Sequence, residues 1–214
     1  MPGITHHERF YRGNDVIERL SRASITICGA GALGSNLADS LVRQGATKLR
    51  VIDNDRVEEH NVGTQIYDKA DVGGWKVDVL RGHVFRSVEV DIDARRVELT
   101  DRTVRKCLRD SDIVVDAFDN TAAREIVTRY CRESELPCLH IGLAADYAEV
   151  VWNERYSVPN NGDEDICDYP LARNIVQLAV TIGCEILMCW ITGGEQSDYS
   201  ITLSDFAVQK MEAP

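Results

Sequence analysis

Residues 24–36 read Ser24-Ile25-Thr26-Ile27-Cys28-Gly29-Ala30-Gly31-Ala32-Leu33-Gly34-Ser35-Asn36. Ser24–Cys28 is short and rich in β-branched residues, as a buried strand requires. The next six residues spell GxGxxG and open a helical stretch that runs to about Gln44, with Gly45 as its cap. Glycines at this spacing permit a tight strand-to-helix turn and let the backbone approach a phosphate, which then sits on the N–H groups of the helix's first turn. Lys48–Ile52 follows as a second strand ending at Asp53, a carboxylate placed to accept hydrogen bonds from both hydroxyls of a ribose. Strand, turn, helix, strand and acid together indicate an adenine nucleotide and leave NAD, FAD and ATP open. A tight turn with no ligand is the plainer alternative.

Outward from this core, Val88–Arg95 alternates as a third strand and Arg102–Arg109 reads as a helix. Asp112–Asp116 is a fourth strand, Thr121–Ser134 a helix and Cys138–Gly142 a fifth strand. Strands alternating with helices predict a doubly wound, Rossmann-like α/β sheet that is parallel in its N-terminal part. Ala148–Val158 and Tyr199–Leu203 alternate as half-exposed strands and predict antiparallel additions at the C-terminal end. Between them lie a Gly/Asp/Asn-rich loop and a long helix from about Pro170. The expected organisation is one domain over residues 1–214, with residues 1–20 an N-terminal arm or helix and residues 159–170 a crossover loop.

The chain has 214 residues, with 24 Lys and Arg against 35 Asp and Glu and a net charge of −11. This balance disfavours nucleic acid and anionic membranes, because phosphate contacts need Lys or Arg to replace counterions. Seven cysteines without a CxxC pair, behind a polar Met1–Asp15 start, predict free thiols in a reducing cytoplasm and no structural zinc. Cys28, Cys131, Cys138, Cys184 and Cys189 read as small core residues. The apolar stretch Ile175–Ile191, interrupted by Gln177 and Glu185, reads as a buried helix rather than a membrane span.

Further elements narrow the chemistry: Asp53-Asn54-Asp55, then Asn61-Val62-Gly63-Thr64-Gln65, Gly73-Gly74-Trp75-Lys76, and Asp116-Ala117-Phe118-Asp119-Asn120. In this order and with the glycine turn before them, they resemble the adenylating superfamily that includes ThiF, MoeB and the ubiquitin-activating enzymes. The resemblance runs from about Arg9 to Cys189. It implies an ATP- and Mg²⁺-dependent adenylyltransferase acting on the C-terminal glycine carboxylate of a ubiquitin-like or sulfur-carrier β-grasp protein. It further implies that Gly29, Gly31 and Gly34 hold the nucleotide with Asn120, that Asp53 binds the ribose, and that Asn61, Thr64 and Gln65 lie near the phosphates. Lys76 would neutralise the triphosphate, and Asp119 would carry the Mg²⁺. Arg9-Phe10-Tyr11-Arg12 is similar to the family's RYxR signature, which implies that Arg12 reaches across a homodimer into the partner's ATP site. The roles suit the chemistry: a carboxylate attacking the α-phosphorus needs positive charge around developing oxyanions and a metal on the pyrophosphate, and no protein nucleophile. Plainer roles also exist, a surface position for Lys76 and a helix N-cap for Asp119.

Two departures stand out. Relatives carry an arginine three residues after the asparagine, where this chain has Thr64, and the paired-cysteine zinc site of many relatives is absent. Cys167 stands in the crossover loop, where thioester-forming members place their cysteine. The following helix and Arg173 would lower its pKa, whereas Asp163, Glu164, Asp165 and Asp168 would raise it. Other readings are a same-fold enzyme for a peptide or nucleoside, an inactive scaffold paired with an active partner, and, from GxGxxG and Asp53 alone, a nicotinamide-dependent dehydrogenase.

Overall fold

The structure, a computed structural model, describes residues 3–159 and 171–212. Two short helices, α1 (His6–Arg12) and α2 (Asn14–Arg22), precede strand β1 (Ser24–Cys28). Next come α3 (Ala32–Gln44), β2 (Lys48–Asp53), α4 (Lys76–Val88), β3 (Asp93–Arg96), α5 (Val104–Leu108), β4 (Ile113–Asp116), α6 (Thr121–Glu133) and β5 (Cys138–Ala144). The described chain ends with β6 (Tyr147–Trp152), α7 (Arg173–Gly193), β7 (Tyr199–Thr202) and β8 (Ala207–Lys210). All eight strands form one sheet in the order β3-β2-β1-β4-β5-β6-β7-β8. The first five pair in parallel and β5 through β8 antiparallel, as the change of sequence pattern predicts.

Alternating strand residues feed two cores. Ile25, Ile27, Ile113 and Val115 face α2, α3, α4 and α7, while Cys28, Ile52 and Val114 face α5 and α6. The long helix α7 buries Ile175, Val176, Ala179, Val180 and Leu187 against α3 and β6, so its apolar character serves this core.

Three expected elements differ in extent. Val77, Leu80, Val84 and Val88 repeat at helical spacing, so α4 runs through Val88 and stops only where Glu89 turns left-handed at φ 59°. The third strand therefore begins at Asp93, not Val88. The strand expected to reach Val158 ends at Trp152, because the amides of Arg155 and Tyr156 both fold back onto the Trp152 carbonyl at 3.0 Å. The helix expected over Arg102–Arg109 is trimmed to Val104–Leu108. Strand β8 was not anticipated: Ala207-Val208-Gln209-Lys210 is an exposed edge with no buried side chain to produce a pattern.

Candidate functional site

The strand order reverses at β1, which lies between β2 and β4, so the crevice beyond the carboxyl ends of β1 and β4 is where an open α/β sheet takes a ligand. Gly29 leaves β1 at φ +100°, and a Cβ added there would stand 2.9 Å from the Ala117 carbonyl oxygen. The loops after β1 and β4 thus touch directly. Gly34 packs back on the turn, where an added Cβ would meet the Gly29 carbonyl oxygen at 1.9 Å. Gly31 differs: among the described residues nothing lies within 4 Å of its would-be Cβ, which leaves space over the backbone where a phosphate would approach.

Asp53 ends β2 and is only 7% exposed. Its Oδ2 accepts the Ala30 amide and its Oδ1 the Asp55 amide, both at 2.7 Å. Two of the carboxylate's four lone-pair sites remain for a ribose. Burial raises the Asp53 pKa, against the opposing charge of Lys76 and the two amides. The Tyr67 hydroxyl donates to the Ala30 carbonyl at 2.7 Å, so the turn is tethered through both groups of Ala30.

Lys76 is the first residue of α4 and is 8% exposed, not a solvated surface lysine. Its ammonium donates to Asp55 Oδ2 at 3.1 Å, beside the Asp53 carboxylate. Asn61 is buried in a 3-10 turn, Glu59–Gly63, where its Oδ1 accepts the Glu58 amide at 2.9 Å. Thr64 closes that turn, and Gln65 is buried with an Oε1 that has no hydrogen-bond partner among the described residues. Asn120, rather than Asp119, caps α6: its Oδ1 accepts the Ala123 amide at 2.8 Å. Asp119 is left exposed at the crevice, two residues beyond the contact with Gly29. A single free carboxylate suits Mg²⁺, which is commonly held by one or two carboxylates together with substrate phosphates. No cluster of three or more His, Cys, Asp and Glu fit to bind a metal occurs among the described residues.

Arg12 lies at the end of α1 and is bound within its own chain. Its Nε donates to Glu8 at 2.6 Å and its Nη1 to Glu185 of α7 at 3.0 Å, with Nη2 on the second Glu185 oxygen. Cys167 falls outside the described residues. Cys28, Cys131, Cys138 and Cys184 are buried as expected, and burial pushes the Cys184 thiol up to about 12. Cys189 is exposed, which corrects its reading as a core residue: it lies on the outer side of α7.

The sequence reading missed a buried polar network under the Asp119 loop. Asp116, at the end of β4, accepts the Phe118 amide at 3.1 Å on one oxygen and meets His140 Nδ1 at 2.9 Å on the other. Arg124 lies 3.8 Å from Asp116 and donates to the Tyr156 hydroxyl at 2.8 Å and the Ile141 carbonyl at 2.9 Å. His140 stacks on Tyr156 with centroids 3.8 Å apart, and its Nε2 is 2.7 Å from Asn153 Oδ1. Burial alone would raise the Asp116 pKa, but Arg124 and His140 outweigh it and hold the carboxyl below its ordinary range. A signal was present: Arg124 falls among Ala123, Val127, Thr128 and Cys131 on the buried stripe of α6, where a charge must have a partner.

Comparison with known proteins agrees with this geometry. The ThiF family model matches residues 7–170, well over half of the chain. The chain is 38% identical over 112 residues to a sulfur carrier protein adenylyltransferase of Thermus thermophilus, covering 51% of this chain and 41% of that protein. It is 31% identical over 137 residues to the sulfur carrier protein ThiS adenylyltransferase of Bacillus subtilis, covering 61% and 40% respectively. It thus spans less than half the length of these relatives. Among solved structures, E. coli MccB with ATP superposes with a TM-score of 0.81 at 19% identity, over 99% of this chain and 71% of that one. That likeness establishes the shared fold. The glycine turn, the switch-point crevice and the family match together show that this chain belongs to the ThiF family.

Proposed function

We propose that the chain is an ATP-dependent adenylyltransferase that activates the C-terminal glycine carboxylate of a ubiquitin-like or sulfur-carrier β-grasp protein. The observation that carries this reading is the convergence of Gly31, Asp53, Lys76 and Asp119 on one crevice at the strand-order reversal. The relatives named as carrier-protein adenylyltransferases support the substrate class.

In this reading the open backbone at Gly31 receives the phosphates, and Asp53 takes the ribose hydroxyls with its remaining lone pairs. Lys76 is held by Asp55 near the α-phosphate, where its charge offsets that of the pentacoordinate transition state. Asp119 would hold Mg²⁺ together with the phosphates, and the ion would supply charge neutralisation on the pyrophosphate leaving group. The network of Asp116, His140 and Arg124 fixes the loop that carries Asp119, so that carboxylate needs little reorganisation. The protein would act in the cytoplasm as a homodimer, in which Arg12 exchanges its carboxylates for the partner's phosphates, and Cys167 would take the activated acyl group as a thioester.

ATP–pyrophosphate exchange in the presence of candidate carriers tests the reaction. Exchange that depends on a carrier with an intact C-terminal glycine supports it, and absence of exchange with every carrier of this class contradicts it. Mass spectrometry of the enzyme after incubation with ATP and carrier tests the thioester. A carrier adduct lost in Cys167→Ser supports the cysteine's role, and no adduct removes it.

A further inference from the structure

Lys76 owes its place to a short backbone ribbon. Its amide donates to the Asp55 carbonyl at 3.0 Å, while the Val57 amide donates to the Gly74 carbonyl and the Gly73 amide to the Val57 carbonyl, both at 2.8 Å. These bonds set Arg56 antiparallel to Trp75. Gly73, at φ +90°, and Gly74 bring no side chain to the approach, so the half-buried Trp75 carries the side chain that can hold the entry to α4. Trp75 stands at the N-cap of that helix and makes no capping hydrogen bond, where Ser, Thr, Asp or Asn would satisfy an orphan amide. Capping does not explain the indole.

Two guanidiniums do. The Arg56 guanidinium carbon lies 3.8 Å from the Trp75 ring centroid and that of Arg96 lies 4.6 Å from it. A guanidinium over an aromatic face is attracted to its π-system, and indole is the best of the aromatic acceptors. Arg56 stands three residues beyond the end of β2, and its Nη1 also donates to the Gly73 carbonyl at 2.5 Å. Arg96 ends β3, paired in register with Asp53. The ring therefore joins the ends of β2 and β3 to the residue before Lys76.

We propose that Trp75 is a positioning residue for Lys76: its stack with Arg56 and Arg96 fixes the start of α4, so that the ammonium on Asp55 meets the nucleotide's phosphates without reorganising. This rests on the ATP-dependent reading of the same crevice. Trp75 and the two arginines act through Lys76 and need not touch the nucleotide.

Equilibrium binding of ATP to the full chain, measured in a double-mutant cycle with Lys76, tests the assignment. Trp75→Ala should weaken ATP about five- to tenfold in the wild-type background and less than about twofold in Lys76→Ala, where the group it positions is gone. Trp75→Phe, which keeps an aromatic face, should stay within about threefold of wild type, whereas Trp75→Leu, apolar without one, should match Trp75→Ala. Unchanged affinity in Trp75→Ala, the same loss in both backgrounds, or Trp75→Leu binding as well as Trp75→Phe overturns the proposal and leaves ATP use by the wild type intact. A wild type that does not bind ATP overturns both. If Trp75→Ala lowers the melting temperature, Arg96→Met at the exposed end of β3 decides. A loss of ATP affinity that disappears in Lys76→Ala supports the assignment, and no loss, or a loss that persists there, overturns it.

Discussion

A Cβ on Gly34 would lie 1.9 Å from the Gly29 carbonyl oxygen, whereas a Cβ on Gly31, in the same turn, would meet nothing within 4 Å among the described residues. The two glycines therefore answer different demands: Gly34 serves the fold, and Gly31, in the proposed function, serves the ligand. Gly34→Ala should force the turn open and cost about 1–3 kcal/mol or more, seen as a lower denaturant midpoint. Gly31→Ala should leave stability within about 0.5 kcal/mol and weaken ATP by about tenfold. Equal effects of both substitutions on stability would contradict this division.

Arg124 and Asp116 form a buried pair. Arg124→Ala leaves the buried Asp116 carboxylate with only His140 and the Phe118 amide and should cost about 3–5 kcal/mol in urea unfolding. Because the native Asp116 pKa is lowered, its contribution is present above the ordinary aspartate value of about 4 and is lost as pH falls through the lower native value. Asp116→Asn should therefore be least stable relative to wild type at neutral pH, with the gap narrowing in acid. A gap independent of pH would contradict the lowered value.

The thiols should separate by exposure. Among the described cysteines Cys189 alone is exposed, so Cys189→Ser should remove a fast-reacting group in titration with an aromatic disulfide near pH 8. Cys184, pushed up to about 12, and the buried Cys28, Cys131 and Cys138 should react only as the protein unfolds. Rapid labelling of Cys184 in the native protein would show that this face of α7 is not packed into the core.

If Arg12 acts across a homodimer, Arg12→Ala and Lys76→Ala fail for different sites. Each homodimer should be inactive. An equal mixture after subunit exchange should regain about a quarter of wild-type activity, since half the dimers are mixed and each has one intact site. No recovery under conditions of proven exchange would place Arg12 in its own chain, where Glu185 already holds it.

The parallel sheet and the glycine turn were legible because local patterns decide them: β-branched runs set the strands, and Gly29 and Gly34 answer steric demands that no other residue meets. The third strand begins at Val88 in the sequence reading because Val88, Val90 and Ile92 fit alternation as well as a helical stripe. Only the left-handed Glu89 decides between them. Lys76 and Asp53 were legible as residues, but their burial and the Asp55 tether are tertiary facts. The Asp116–His140–Asn153 network joins β4, β5 and the turn after β6, so no spacing in the sequence could announce it. The exchange of capping roles between Asp119 and Asn120 turned on one residue of phase at the start of α6.

The most direct test of the account is ATP–pyrophosphate exchange measured side by side for wild type, Lys76→Ala and Asp119→Ala, with Mg²⁺ and a β-grasp carrier ending in glycine. The account predicts exchange in the wild type, a loss of about 10²-fold or more in each variant, and melting temperatures that stay close to wild type for the exposed Asp119. Wild-type exchange that persists undiminished in both variants would contradict the assignment of the crevice as the adenylation site.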